Sequence, residues 1–195
     1  DHHTGLIPFM TSQCNRYRDM SEIPTVITVH NAEYHGVHDI DKYQLLPAFN
    51  IDQLGLLEWD GRLNSLAAGL KCAWKITTVS NNYMSELSEN SNGLEMLFQH
   101  ERHKSLGIVN GIDTEVWDPA TDDLVEHNFS HQNRKKGKSL NKKYLCEHFD
   151  LDPKHPTVAF IGRLVREKGA DLLPDLFRQV IYSDQEVNFI LLGTG

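Results

Sequence analysis

Thr157-Val158-Ala159-Phe160-Ile161-Gly162-Arg163-Leu164-Val165-Arg166-Glu167-Lys168-Gly169 is an apolar, partly β-branched run that meets a glycine and turns at once into charge. The run from Thr157 to Arg163 reads as a strand, and in open parallel sheets ligands bind beyond the carboxyl ends of strands. Arg163 therefore stands at a ligand-facing strand end, with Lys168 five residues on near a helix start. A guanidinium offers a planar fork for two phosphate oxygens and an ammonium a mobile point charge. Together they suit a diphosphate whose charge grows as it departs. Spacing alone gives equal weight to a surface Arg and Lys beside Glu167 and Asp171.

Outward from this stretch the pattern repeats. Leu172, Leu176 and Val180 recur at four and read as a helix, with Pro174 early in it, where a missing N–H is tolerated. Asn188 to Leu192 is the next strand and runs into Gly193-Thr194-Gly195, a glycine turn that lets a nucleotide approach backbone closely. Upstream, Thr25 to His30, Ile76 to Ser80 and Gly107 to Asn110 read as strands, and Leu63, Leu66, Ala67 and Leu70 as one apolar helix face that Trp74 extends. Strands alternating with helices predict an α/β fold with parallel sheets.

Two more strand ends carry polar groups. In Val29-His30-Asn31-Ala32-Glu33-Tyr34-His35-Gly36, a His can hydrogen-bond a sugar hydroxyl and Asn31 adds a donor and an acceptor. A lone His is as readily a satisfied core imidazole. His35 and His38, with Gly36 and Asp39, read as a solvated surface loop. Asn110-Gly111 marks a tight turn.

The chain has 19 Lys+Arg against 27 Asp+Glu, a net charge of -8, which argues against nucleic acid as a partner, since that affinity rests on basic faces. No apolar run approaches the ~18 residues a membrane span needs, and no secretory pattern opens the chain. No membrane partner and a cytoplasmic location are expected. Cys14, Cys72 and Cys146 are far apart and odd in number, as free thiols of a reducing compartment would be. Arg134, Lys135, Lys136, Lys138, Lys142 and Lys143 form a basic window without an acid, leaving 13 basic against 27 acidic residues elsewhere. It reads as a solvated connector with a helix around Leu140 to Phe149, or as a cationic rim for an anionic substrate. The opening at Asp1-His2-His3 and the close at Gly193-Thr194-Gly195 suggest an internal segment of a longer chain.

Taken in order, these residues resemble the bacterial-type glycogen and starch synthases that use ADP-glucose. The motifs are Asp1-x-His3-x-Gly5-Leu6, Thr28-Val29-His30-Asn31-x-x-Tyr34-x-Gly36, Gly61-x-x-Asn64 to Leu70, Thr77-Thr78-Val79-Ser80 and Gly93-Leu94. They continue through Ile108-Val109-Asn110-Gly111-Ile112-Asp113-x-x-x-Trp117-x-Pro119, Asn141-Lys142 and Gly162-Arg163-Leu164-x-x-x-Lys168-Gly169. The resemblance implies a GT-B fold of two Rossmann-like domains with parallel sheets and the active site between them. Residues 1-106 would be the C-terminal part of the acceptor-side domain and 107-195 the N-terminal part of the nucleotide-sugar domain, with a hinge near Lys104 to Gly107.

The resemblance also implies roles. Arg163 and Lys168 would hold the ADP phosphates and stabilise their departure, with no metal and no cofactor. His30 would lie against the transferred glucose, and Asp1, His3, Asn31 and Asn110 would shape the sugar site. Gly193, Thr194 and Gly195 would line the nucleotide. The reaction would be retaining transfer of glucose from ADP-glucose to the non-reducing 4-hydroxyl of an α-1,4-glucan such as glycogen. The family's N-terminal Lys-x-Gly-Gly motif and downstream Glu motif are not in this sequence, so the segment alone is expected to be inactive. Ala32-Glu33 stands where Leu-Ala is usual.

Three other readings compete. Asp1, His2, His3, His30, His35 and His38 suggest a metal-dependent phosphoesterase. Trp59, Trp74, Trp117 and Tyr34 suggest a non-catalytic carbohydrate-binding module. A third keeps the transferase and changes the donor to UDP-glucose. Oligomeric state is not legible.

Overall fold

The computed structural model describes all 195 residues, and the chain divides into two compact units, Asp1–Gly111 and Ile112–Gly195. In the first unit the order is α1 (Leu6–Gln13), β1 (Val26–Val29), β2 (Val37–His38), β3 (Glu58–Trp59), β4 (Arg62–Asn64), α2 (Ser65–Cys72), β5 (Lys75–Thr78), α3 (Asn81–Leu87), α4 (Glu95–His100) and β6 (Ser105–Gly107). The residue 106/107 boundary expected from sequence falls inside β6.

β1, β5 and β6 form a parallel sheet with β5 in the middle. Val29 pairs with Thr78 and Thr78 with Gly107, so the three carboxyl ends finish level. β1 alternates as a half-buried strand should, with Ile27 and Val29 buried and Thr28 reaching the Thr77 hydroxyl across the strands at 2.8 Å. The strand expected at Thr25 to His30 is present in shortened form, and the one expected at Ile76 to Ser80 starts one residue earlier and ends at Thr78. The one expected at Gly107 to Asn110 is not: the strand is β6, and Ile108, Val109 and Asn110 run past it, exposed.

α2 connects the second sheet to β5. The Asn64 side chain caps it, accepting from the Ala67 N–H at 2.9 Å, and every residue from Ser65 to Leu70 is buried. Its apolar face packs with Ile27, Val29, Ile76, Leu87, Leu97 and Phe98 into the main core. Each such side chain contributes about 1.5–3 kcal/mol when fully buried. Trp74 lies beyond the end of this helix and is half exposed, so the apolar face stops at Cys72. A second cluster of Phe9, Cys14, Leu57, Leu63 and Ala68 seats α1 against the antiparallel sheet β2-β4-β3. Strands of two or three residues carry too little alternation to be read from sequence, so this sheet has no counterpart among the expected elements.

Glu101 and Lys104 form a nearly buried ion pair at 2.9 Å, and Lys104 Nζ also donates to the Lys71 carbonyl at 3.0 Å. Beside them, burial pushes the Cys72 thiol up to about 11, so it stays protonated at neutral pH. All three cysteines are free thiols.

The second unit holds α5 (Arg134–His148), β7 (Thr157–Ile161), α6 (Leu173–Tyr182) and β8 (Asn188–Leu192). β7 and β8 pair in parallel from Thr157 with Asn188 to Ile161 with Leu192, and α6 is their crossover. Phe177 of α6 meets Phe189 of β8 edge to face at 4.9 Å. α5 begins earlier than the expected Leu140, so the basic window is helix rather than connector; Lys142 Nζ donates to the His155 carbonyl at 2.6 Å. Ile161, Leu172, Ile181, Tyr182 and Leu192 are exposed. No helix is long and apolar enough to cross a membrane.

Candidate active site

The turn after β1 is held by one carboxylate. Asp1 Oδ1 accepts the N–H of His30 at 2.8 Å and of Asn31 at 3.1 Å, and the Asp1 backbone N donates to the Thr28 carbonyl at 2.6 Å. Asn31 Oδ1 accepts from the Glu33 N–H at 2.8 Å, closing an Asx turn. The main chain of His30 is thus fixed while its imidazole is exposed, so it is not a core group.

Further along, the turn is tied into three elements. The Ala32 N–H donates to the Tyr83 hydroxyl on α3 at 3.2 Å, and Asn92 Nδ2 donates to the Glu33 carbonyl at 3.1 Å. The carbonyls of His35 and Gly36 accept from the Leu66 and Ser65 N–H groups at 3.0 and 3.1 Å, satisfying two donors at the start of α2. His35, expected to be solvated, is only 9% exposed: its Nε2 lies 2.9 Å from the Ala32 carbonyl and 3.1 Å from the Ser91 carbonyl. The reason is long-range. Ser91 and Asn64, distant in sequence, close over the ring.

Between this turn and α3 lies a cavity of about 610 Å³ lined by Asn31, Glu33, Tyr83, Glu86, Glu89 and Asn92 among others. Its walls are mostly polar, and Glu33, Glu86 and Glu89 make them acidic. The Ser91 corner is pinned by Glu95, whose Oε1 accepts the Ser91 and Gly93 N–H groups at 2.8 and 3.1 Å. The bond from Ser91, more than any other influence, holds the Glu95 carboxyl below its ordinary range. A depressed carboxylate contributes stability above the unfolded value and loses it as pH falls through the folded one. Glu95→Gln is therefore expected to lower the denaturant midpoint at neutral pH, and the gap to the parent protein to close on acidification. A gap that stays constant with pH would refute this.

Among the expected sugar-site residues, hydrogen bonds join one group directly. Asp1, His30 and Asn31 are in direct contact. His3 is exposed and lies against His2, with tilted rings whose centroids are 3.8 Å apart. Burial, then His3, holds the His2 imidazole below its usual value. Asn110 follows the end of β6, two strands away from β1, about 10 Å at the usual strand spacing. No group of three or more His, Cys, Asp or Glu side chains is disposed to hold a metal ion. Trp59, weighed as a stacking face, donates its Nε1–H to the Gly93 carbonyl at 2.9 Å and lies under Lys71 Nζ, 5.2 Å from the ring centre.

In the second unit, Arg163 leaves the carboxyl end of β7 with its side chain 69% exposed and only a 3.8 Å contact to Glu167. Lys168, also exposed, ends a 3-10 turn, Arg166–Lys168; the helix expected there starts later, at Leu173. The neighbouring glycine turn is exposed, and its backbone runs close to that of Gly162 to Leu164. A Cβ on Gly193 would overlap the Gly162 carbonyl oxygen, and Leu164 donates its N–H to the Thr194 carbonyl at 2.9 Å. The bare glycine lets the two strand ends run together beneath Arg163.

The family model of the starch synthase catalytic domain matches residues 1–100. The chain belongs to the starch synthase catalytic domain family. Over its whole length it is 47% identical to a glycogen synthase of Flavobacterium johnsoniae and 36% identical to one of Streptococcus sanguinis, covering 41% and 42% of those proteins. Among solved structures it is similar to the catalytic domain of starch synthase IV from Arabidopsis thaliana bound to ADP and acarbose. That similarity has a TM-score of 0.78 at 27% identity, over 99% of this chain and 41% of that one. The chain thus spans about two fifths of these relatives, and its α/β fold with parallel sheets is that of a starch synthase catalytic domain. Within this family the residues that sequence reading missed are the supports His35, Asn64, Tyr83 and Ser91. His35 lay in the quoted Val29 to Gly36 stretch but reads there as solvated, whereas Asn64 lay in a quoted motif and its helix-capping place was the available signal.

Proposed function

We propose that the full-length protein is a glycogen or starch synthase of the GT-B type, which transfers glucose from ADP-glucose to the non-reducing 4-hydroxyl of an α-1,4-glucan with retention. What carries the reading is the match of the whole chain to glycogen synthases at up to 47% identity, with the quoted motifs at strand ends. The first unit serves the glucose and the acceptor, and the second the nucleotide.

Each residue has a task that its setting permits. Asp1 fixes the His30–Asn31 main chain, so the exposed imidazole meets the glucose without reorganising. His3 and Asn110 bound the sugar site from the chain segments either side. Arg163 and Lys168 take up the charge that develops on the departing diphosphate, a role for which both are exposed and lightly paired. Gly193, Thr194 and Gly195, exposed just past β8, line the nucleotide. A reducing cytoplasm, which keeps the three thiols free, is the fitting location.

The test is glucose transfer to glycogen by the full-length protein in chelator-containing buffer, with ADP-glucose and UDP-glucose in parallel. Saturable transfer from ADP-glucose, releasing one ADP per glucose, is expected. Transfer from UDP-glucose alone would overturn the donor assignment. Phosphoester hydrolysis without transfer would overturn the reaction.

A further inference from the structure

His35 has no task in that reading, yet it is the most completely engaged imidazole in the chain. Its Nε2 faces two carbonyls, Ala32 O at 2.9 Å and Ser91 O at 3.1 Å. A carbonyl only accepts, so Nε2 carries the hydrogen. Its Nδ1 faces Asn64 Nδ2 at 3.4 Å, and the Asn64 amide cannot turn round, because its Oδ1 is committed to the Ala67 N–H at 2.9 Å. Asn64 therefore presents a donor, and Nδ1 must accept. Both ring nitrogens are assigned by partners that cannot exchange roles.

The same residue is held by its main chain, since its carbonyl accepts the Leu66 N–H at the head of α2. Through the ring, α2, the Ser91 corner and Ala32 are joined at one point, and Ala32 is two residues from His30. We propose that His35 is a positioning residue for glucosyl transfer: its neutral Nε2–H imidazole fixes the Ala32–Gly36 main chain and so the place of His30. This rests on the synthase reading above. The physical stake is large, because displacement of a reacting group by about 1 Å can cost 10²-fold in rate.

The chemistry makes a discriminating pair of variants. His35→Leu fills space but leaves two buried carbonyls without a donor. His35→Gln keeps an N–H donor for the carbonyls and an oxygen to accept from Asn64. In the full-length protein, His35→Leu is expected to lower kcat per folded molecule by about 10- to 100-fold, with the ADP-glucose KM changed by less than about 3-fold. His35→Gln is expected to stay within about 3-fold of the parent in both. Hydrogen exchange should rise in His35→Leu at residues 31–36 and at the head of α2, and not in His35→Gln. Equal kcat per folded molecule in parent and His35→Leu, or a Gln variant as poor as Leu, would overturn the proposal.

Selective ¹⁵N-histidine labelling of the parent protein gives a check that needs no stable Leu variant. The resonance lost in His35→Gln must show the Nε2–H tautomer, and the Nδ1–H form would refute the arrangement. A parent protein without transferase activity would instead overturn the synthase reading, and exchange with tautomer would then decide on the anchor alone.

Discussion

Arg163→Ala and Lys168→Ala, each in the full-length protein, are expected to lower turnover by on the order of 10²-fold or more. The side chains sit on a turn that grips its own backbone: the Lys168 N–H donates to the Val165 carbonyl at 3.0 Å, and the Gly169 N–H to the Arg166 carbonyl at 2.8 Å. The head groups, by contrast, are solvated. An exposed ion pair contributes ~0–1 kcal/mol, so the contact of Arg163 with Glu167 is readily given up to a diphosphate. Removing either cation is therefore expected to leave thermal stability near the parent value and, on the proposed role, to act on the leaving group. Arg163→Lys is expected to recover part of the loss, since an ammonium restores charge without the planar fork. Near-parent turnover in both alanine variants, measured at saturating ADP-glucose, would remove these residues from the reaction.

Gly107→Ala is expected to have a large effect on folding. A Cβ at Gly107 would overlap the Ser80 carbonyl carbon and the Asn81 nitrogen, all backbone, at the start of α3. Neither side can yield. Ser80 caps α3 by accepting the Tyr83 N–H at 2.9 Å, and β6 is held in register by Gly107 opposite Thr78 and by the Ile108 N–H on the Thr78 carbonyl at 2.7 Å. Overpacking of this kind costs about 1–3 kcal/mol, and more when only backbone can move. The melting temperature should fall by roughly 6–12 °C at the upper figure. Gly111→Ala is the control, because a Cβ there meets nothing within 4 Å. Equal melting temperatures for the two variants would show that β6 can shift.

The same glycine marks where sequence reading succeeds and where it slips. Strands such as β7 and β8, five residues long and apolar after their first residue, are legible because local composition alone specifies them. β6 is read too late because Ile108 and Val109 look more strand-like than Ser105 and Leu106. What decides the matter is the pass of Gly107 against Ser80, a contact across 27 residues. The charged strand end at Arg163 is visible because an apolar run that turns into charge without a gap marks the point where a strand leaves its sheet. The burial of His35 is not, since the neighbours Gly36 and Asp39 suggest a solvated loop, and the groups that bury it lie 29 and 56 residues away. First contacts with a ligand tend to sit on motifs, and their supports come from anywhere in the fold.

The level strand ends of β1, β5 and β6 also fix an order of events during synthesis. All three are made by Gly107, whereas β7 begins at Thr157. At about 5–20 residues per second, the ribosome needs roughly 3–10 s to cover that interval. Sheet pairing and core closure of the first unit, which draw on nothing beyond Gly111, fall within that time. The His30 turn is thus set while the chain that carries Arg163 is still being made.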